Sequence, residues 1–586
     1  MLKLLTRLRK KEIIFIIIST LFILLQVGLD LKLPEYMSNI TVLVQTPSSS
    51  MHDILNQGLY MLLCITGSLI TSVIVGFLAS HISSGFAKNI REEMFNKVFS
   101  FGMNEIKHFS ISSLITRTTN DVTHVQRLVA MGLQIGIKAP IMAVWAVLKI
   151  INTSLTLSSL TGLAVIISIL IMFITMIFVI PKFKLMQTLT DRLNCVSREG
   201  LLGIRVVRAY NAEQFQENKF NEVNTDLTNV GKFTGKTMAI LWPLVSFLNH
   251  ALTLSIYLVG AFLIEQAVID MKLELFSNII VFSSYSSQVL AAFMMLCGSI
   301  VMYPRVSVSS NRILEVLQMP TSVNDGNYVG QQVEQGKIEF KNVSFKYPGS
   351  DAYILKDITF VANQGETIAF VGATGSGKST LLNLIPRFYD VTTGEILINN
   401  RNVQDYSKQD LNSKIGYVPQ KAVLMGGSIK DNVSYGTKYK TKPSDEDVQI
   451  AIKIAQAEEF VLNMDAKYDA EITRGGTNVS GGQMQRLQIA RAVARNPEFY
   501  IFDDSFSALD YKTDAKLRKA LREHTSNNTT LIVAQRINTI RHADKIIVLD
   551  NGRMVGMGTH NHLLDNCETY RALAEAQLKQ EELYNA

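Results

Sequence analysis

Charge is scarce in this 586-residue sequence. Asp, Glu, Lys and Arg make up 18% of it, where a soluble protein carries about 25%. The shortfall accompanies 47% hydrophobic residues and a mean hydropathy of +0.18. These values exclude a disordered chain and argue against an ordinary cytosolic enzyme. Either part of the chain is embedded in a membrane, or the averages mix two unlike bodies. Cysteine is scarce too: Cys64, Cys195, Cys297 and Cys567 are too few and too scattered for a disulfide framework or a zinc site. There is also no concentrated basic cluster. The net charge of +7 is spread over the ends of apolar stretches and a polar second half, so nothing tracks a phosphate backbone and no nucleic-acid partner is expected. At about 150 residues per domain, the length suggests about four domain-sized units.

What is abundant lies before about residue 305. Six apolar stretches, at 13–33, 59–80, 127–150, 157–180, 239–264 and 275–302, approach the roughly 20 residues that cross about 30 Å of hydrocarbon. Lys3, Arg7, Arg9, Lys10 and Lys11 precede the first, which places the N-terminus in the cytoplasm by the positive-inside rule. Residues 2–11 read as a short amphipathic helix on the inner membrane surface. A signal peptide would start the same way, but no small-residue cleavage pattern follows and five more spans do. The segments between spans one and two, three and four, and five and six are short and should lie outside. Those at 81–126 and 181–238 are long, polar and helix-patterned. They read as membrane helices that continue into the cytoplasm and return. The outer loop Thr41–Gln57 is polar, and nothing in the sequence accounts for it.

After Pro304 the pattern changes. A helical link, Ser307–Leu317, reaches Met319-Pro320, and Asn-Asp-Gly-Asn marks a linker. From Gly336 onward, strand-like runs (Lys337–Phe340, Thr367–Val371, Phe499–Asp503, Thr530–Val533) alternate with helical patterns, the signature of an α/β domain with a mainly parallel sheet. The fold class read here is an α-helical six-span transmembrane domain fused to an α/β domain, which the run Gly372–Thr380, fitting G-x-x-x-x-G-K-[ST] after the strand Thr367–Val371, makes a P-loop nucleotide-binding domain. Its bounds are 1–305 for the membrane part, 306–335 for the linker and 336–586 for the nucleotide-binding part.

Three motifs carry chemistry. Gly372, Ala373, Thr374, Gly375, Ser376, Gly377, Lys378, Ser379 and Thr380 fit G-x-x-x-x-G-K-[ST] between a strand and a helix, the Walker A arrangement. The glycines let backbone N–H groups converge on phosphates, and the helix N-terminus adds partial positive charge. Lys378 is expected to reach the β- and γ-phosphates of ATP, and Ser379 to ligate Mg²⁺. Phe499–Asp503 is a buried-strand run ending in a carboxylate, the Walker B arrangement. Asp503 would hold Mg²⁺ through water, and Asp504 takes the following, water-facing position. Ser480, Gly481, Gly482 and Gln483 open a helical run and read as a capping box. The same glycines expose N–H groups that could embrace a phosphate supplied from elsewhere.

With that third motif, preceded by Val479, the chain resembles the ATP-binding cassette (ABC) superfamily, whose signature is LSGGQ. It is similar to a bacterial half-transporter exporter, and the resemblance spans essentially the whole chain. It implies that Tyr347 stacks on adenine, that Gln420 is the Q-loop residue contacting Mg²⁺ and the membrane helices, and that Ser507–Asp510 is the D-loop. It likewise implies that Phe109–Asp121 and Gly200–Asn211 carry the coupling helices that press on the cassettes. Because importers of the superfamily commonly separate membrane and ATPase chains, the fused arrangement argues for export. No peptidase region precedes the basic helix, which argues against an exporter that trims a peptide cargo.

The chain departs from the family pattern where hydrolysis is promoted. The Glu expected after the Walker B Asp is Asp504, whose carboxylate is withdrawn by about 1.5 Å in a geometry that tolerates little error. The switch position, usually a His contacting the γ-phosphate, is Gln535, which donates a hydrogen bond but carries no titratable proton. Upstream of the signature, Glu-Arg-Gly becomes Arg474-Gly475-Gly476. The residues that bind ATP are spared. This pattern resembles the degenerate-site subunit of heterodimeric exporters. It implies a second half-transporter with the consensus Glu and His, whose ATP is completed in trans by Ser480, Gly481, Gly482 and Gln483. The expected function is ATP-driven efflux of amphipathic drugs or lipids from the cell membrane. A homodimeric lipid or peptide flippase and an ATP-gated regulatory subunit without transport of its own are the alternatives. Asp30 and Lys138, charges within or near membrane spans, are candidate substrate residues. Phe282, Tyr285 and Phe293 read chiefly as helix packing.

Overall fold

The computed structural model describes residues 2–46, 49–151, 155–266, 269–330, 335–436, 442–579 and 583. Residues 47–48 of the outer loop, 331–334 of the linker, and the side chains of Cys297 and Pro304 lie outside the described residues. The chain divides into two compact units, Met1–Val98 with Ser112–Gln318, and Phe99–Ile111 with Met319–Ala586.

The first unit is built from six long helices: α1 (Lys10–Gln45), α2 (Met51–Ser100), α3 (Ile111–Ile151), α4 (Leu155–Leu202), α5 (Glu213–Gln266) and α6 (Ile269–Gln318). Among the described residues six helices are long and apolar enough to cross a membrane. A helix of 50 residues such as α2 is about 75 Å long, more than twice the hydrocarbon thickness. It must therefore run on past the membrane, as the helix-patterned polar loops require. Pro34, Pro181 and Pro243 lie inside α1, α4 and α5. Such positions are tolerated in membrane helices, where neighbouring groups satisfy the freed carbonyls. Helix α6 packs on α1, α3 and α5, and α4 on α5. The seam holds Ile23, Val27, Leu31, Ala143, Ala146, Ile256, Phe282, Tyr285 and Val289, all buried. A Cβ on Gly260 of α5 would come within 2.6 Å of Ile279 of α6, the close approach that small residues permit between membrane helices. Outward-facing Phe77, Phe173, Phe247 and Phe262 are exposed, as befits helices that face lipid rather than water. The link Ser307–Leu317 is the last stretch of α6 and not a separate element.

The second unit carries two main sheets. One is antiparallel, in the order β2 (Leu355–Ala362), β1 (Ile338–Phe345), β4 (Thr393–Ile398), β5 (Arg401–Asn402). The other has six strands in the order β10 (Arg553–Gly558), β9 (Lys545–Asp550), β3 (Thr367–Val371), β8 (Thr529–Val533), β7 (Phe499–Asp503), β6 (Ile415–Val418). All its pairings are parallel except β9 with β10. Every residue of β7 is buried, the continuous apolar run of a strand covered on both faces. Strands β3, β8 and β7 are neighbours, with Val533 in register with both Phe370 and Asp503. Their C-terminal ends thus bring the Walker A loop, Gln535 and Asp503–Asp504 to one edge, where open α/β sheets bind ligands.

Candidate nucleotide site

The Walker A loop turns from β3 into α7 (Lys378–Leu384). Gly377 caps the helix at φ +99°, a left-handed conformation that costs a residue with a Cβ about 1–2 kcal/mol. A Cβ on Gly372 would lie 2.0 Å from the Leu549 carbonyl oxygen of β9, so no larger residue fits there. Lys378 Nζ donates to the carbonyl oxygens of Gly372 and Ala373, each at 2.8 Å. Burial holds its pKa below the usual lysine range, with the carboxylates of Asp504 and Asp503 pulling the other way. The ammonium therefore sits over a ring of backbone dipoles, where a triphosphate could replace the carbonyls as its partner. Ser379 Oγ donates to Asp503 Oδ1 at 2.8 Å. Hydroxyl and carboxylate together are the hard oxygen donors that suit Mg²⁺. Among the described residues no group of three or more His, Cys, Asp or Glu is placed to hold a metal ion, so a metal beside Ser379 and Asp503 would draw its remaining ligands from phosphate and water. The arrangement fits Mg²⁺-ATP.

Tyr347 stands at the other end of the loop. Its hydroxyl lies 3.0 Å from Thr380 Oγ1 of α7, which fixes the ring beside the phosphate cradle. Tyr389 meets it edge-on, with ring centroids 5.2 Å apart. Lys107 Nζ lies 4.9 Å from the Tyr347 centroid and 5.7 Å from that of Tyr389. A cavity of about 440 Å³, lined by Tyr347, Tyr389, Asp351, Thr392 and Ser322 among others, opens alongside. Sequence reasoning missed Tyr389 and Lys107, because neither belongs to a spaced motif. Lys107 sits on the short helix Met103–Phe109, which is grouped with the cassette. Of the stretch Phe109–Asp121 that the family resemblance marks as coupling, Phe109–Ile111 group with this unit and Ser112–Asp121 with the first. Glu105 anchors it, accepting from the backbone N–H of Gly102 at 2.7 Å and of Ser322 at 3.3 Å.

The two departures from the family pattern meet in one contact. Gln535 Nε2 donates to Asp504 Oδ2 at 2.7 Å, and Gln420 Nε2 lies 3.4 Å from the same oxygen. Asp504 is buried and held at φ +48°. Burial raises its pKa, while Gln420, Gln535 and Lys378 oppose the rise. Asp503 is raised chiefly by burial too, with the Asp504 charge adding to the effect. Both amides thus converge on the same carboxylate oxygen of Asp504.

The signature segment is an exposed helix start. Ser480 N–H donates to Gln483 Oε1 at 2.9 Å, and Gln483 N–H to Ser480 Oγ at 3.3 Å. This is the capping box read from the sequence, and it opens helix α8 (Gly481–Ala494). Ser480 and Gly481 are exposed, so the start of a 14-residue helix, apart from the Gln483 N–H that Ser480 Oγ caps, opens to solvent where helix N-termini bind anions. Behind them a Cβ on Gly482 would lie 3.2 Å from the Ala508 carbonyl of the D-loop stretch. Gly475 and Gly476 have φ of +78° and +69°, so the altered Arg474-Gly475-Gly476 stretch forms a turn that requires its glycines.

In the membrane unit, Asp30 and Lys138 are brought together: Lys138 Nζ lies 3.2 Å from Asp30 Oδ2, and the Ser68 hydroxyl donates to Asp30 Oδ1. A second pair went unnoticed in the sequence. Lys149 Nζ lies 2.6 Å from Glu35 Oε1, and the Tyr285 hydroxyl is 2.9 Å from the Leu31 carbonyl and 3.1 Å from Glu35 Oε1. The helical spacing of Lys138 and Lys149, three turns apart on one face of α3, was the signal available.

Fold and site define a class: a P-loop ATPase in one chain with a six-helix membrane unit. The comparisons carry this further. Residues 16–293 match the ABC transporter transmembrane region, and residues 355–507 match the ABC transporter family. The chain is 36% identical over 520 residues to an uncharacterized ABC transporter ATP-binding protein of Mycobacterium tuberculosis, covering 88% of each. It is 34% identical over 518 residues to another from Bacillus subtilis, again 88% of each. It is 32% identical over 515 residues to a Staphylococcus aureus protein provisionally named a multidrug export ATP-binding/permease protein, covering 86% of each. A bacterial Atm1-family ABC exporter solved with ATP bound shares the fold, with a TM-score of 0.83 over 97% of this chain and 100% of that one at 22% identity. The chain belongs to the ABC transporter family. It is an exporter half-transporter, a multi-pass membrane protein whose ATPase is coupled to transport.

Proposed function

We propose that this chain is one subunit of a heterodimeric exporter that moves amphipathic small molecules, drugs or lipids, out across the cell membrane. The ATP held with Mg²⁺ by its own Walker motifs turns over slowly, and hydrolysis occurs mainly at the partner's motifs, completed by Ser480, Gly481, Gly482 and Gln483. The observation that carries this reading is the Gln535–Asp504 hydrogen bond of 2.7 Å. The shortened carboxylate and the amide that replaces the switch imidazole satisfy each other, while Lys378, Ser379 and Asp503 keep a complete ATP-binding set. The exposed signature helix supports a partner, as do Leu201, Leu202, Val206, Tyr210 and Phe215, large apolar residues left exposed around the short helix Ile204–Ala209. Ion pairs Arg7–Glu93 and Arg9–Glu92 tie the basic N-terminus to the polar extension of α2, which supports a cytoplasmic N-terminus and cassette. Asp30 and Lys138 line the translocation path and take the polar end of an amphipathic substrate.

The test is restoration. In the purified complex, Asp504→Glu with Gln535→His should raise ATPase activity at this chain's site at least about 10-fold, since a positioned general base contributes about 10²–10⁴. An unchanged rate with ATP still bound would refute the degenerate-site reading.

A further inference from the structure

The segment after the helix Glu568–Glu575 reaches back to the switch turn. Gln577 Oε1 accepts from the Ile537 N–H at 2.9 Å, and Gln577 Nε2 donates to the Gln535 carbonyl at 3.0 Å. Ile537 opens the short helix Ile537–Ile540, whose N-cap, Arg536, makes no side-chain cap hydrogen bond. The first N–H groups of a helix have no intrahelical partner. Here one finds its acceptor on a side chain 40 positions downstream. The segment that presents Gln577 is itself pinned. His560 Nδ1 lies 2.7 Å from the Tyr570 hydroxyl, and His560 Nε2 lies 2.9 Å from the Leu583 carbonyl. Arg571 donates to the carbonyls of Leu564 and Asp565, each at 2.6 Å. Tyr570, Ala574 and Leu578 are buried with Ala534, Ile537 and Ile540 in one apolar cluster. The far side of the same turn is Gln535, whose amide meets Asp504.

We propose that Gln577 is a positioning residue of the nucleotide site: its amide grips the backbone on both sides of the switch turn and so sets where the Gln535 side chain stands toward the γ-phosphate. This rests on the reading of Gln535 as the γ-phosphate contact. A residue with this role governs discrimination between nucleoside triphosphate and diphosphate. One that only fastens the tail would affect both alike.

The test uses the full-length chain in lipid nanodiscs and two probes, AMP-PNP and ADP, each displacing a fluorescent nucleotide. Gln577→Ala removes both bonds. Gln577→Glu keeps an acceptor for Ile537 but sets a carboxylate oxygen against the Gln535 carbonyl. Both should weaken AMP-PNP about 5-fold, the net worth of about one hydrogen bond, with ADP affinity unchanged within about 2-fold. Hydrogen exchange of the peptide spanning 535–541 should quicken in Gln577→Ala, while that of the Walker A peptide stays as it was. Gln535→Ala is the reference. If it leaves the AMP-PNP/ADP ratio unchanged, the underlying reading of Gln535 falls, and the proposal with it. If Gln535→Ala lowers the ratio but neither Gln577 variant does, the clamp alone is overturned. Equal weakening of both nucleotides would also overturn it.

Discussion

At the scale of single residues, the chemistry turns on which polar groups already have partners. Lys378, Ser379 and Asp503 hold each other or the loop in arrangements that phosphate and Mg²⁺ could take over, and the sequence motif alone was enough to name them. Asp504 and Gln535 were legible as two separate departures. Their hydrogen bond was not, because 31 residues separate them and only the adjacency of β7 and β8 brings them together. The charges in the membrane unit follow the same logic. Asp30 and Lys138 were each visible as a charge that a bilayer penalises, yet neither named the other. Removing one partner of a charge pair in a low-dielectric site leaves the other uncompensated. Lys138→Met should therefore lower both the yield of folded protein and transport. Asp30→Asn with Lys138→Met should restore the yield but leave transport reduced several-fold in vesicle uptake measurements. Transport by the double variant at the wild-type rate would assign the pair a purely structural role.

Elements place those residues. The Walker A turn depends on backbone that a side chain would block, so Gly372→Ala, with a Cβ set 2.0 Å from the Leu549 carbonyl, should abolish ATP binding in a filter or fluorescence assay. The rest of the cassette should still fold. Such a turn is readable from glycine spacing, whereas the C-terminal anchor was not: His560, Tyr570 and Leu583 form no recognised spacing, and their contacts exist only after the tail has folded back. Burial lowers the His560 pKa, the Leu583 carbonyl opposes that, and the nearby Arg541 charge adds to it. The native state thus binds this proton less readily than the unfolded chain. The stability His560 contributes is complete above an unfolded pKa of about 6.5 and is lost as pH falls below it. The protection of segment 568–579 against hydrogen exchange, taken relative to the intrinsic rate at each pH, should fall between pH 7.5 and pH 5.5, and His560→Gln should flatten that dependence. A segment equally protected at both values would contradict the assignment. The short helix Met103–Phe109 was not legible for a similar reason: the contact of Glu105 with the Ser322 N–H joins residues far apart in the sequence, and local pattern does not encode that.

For the whole molecule, the low charge and positive hydropathy are averages over a membrane unit and a soluble ATPase unit, and the two were separable by pattern alone. The count of domain-sized units was less informative, since the long helices of the first unit have no soluble counterpart of that size. The function proposed above is that of a chain that binds ATP completely and promotes its hydrolysis poorly, with its signature helix serving another chain. The most direct test is the ATPase rate of the assembled complex with one site altered at a time. Glu→Gln at the partner's Walker B position should reduce turnover at least about 10-fold, while Asp504→Asn in this chain should change it by less than about 2-fold. Loss of activity on Asp504→Asn with the partner variant unaffected, or full activity of this chain alone, would contradict the account.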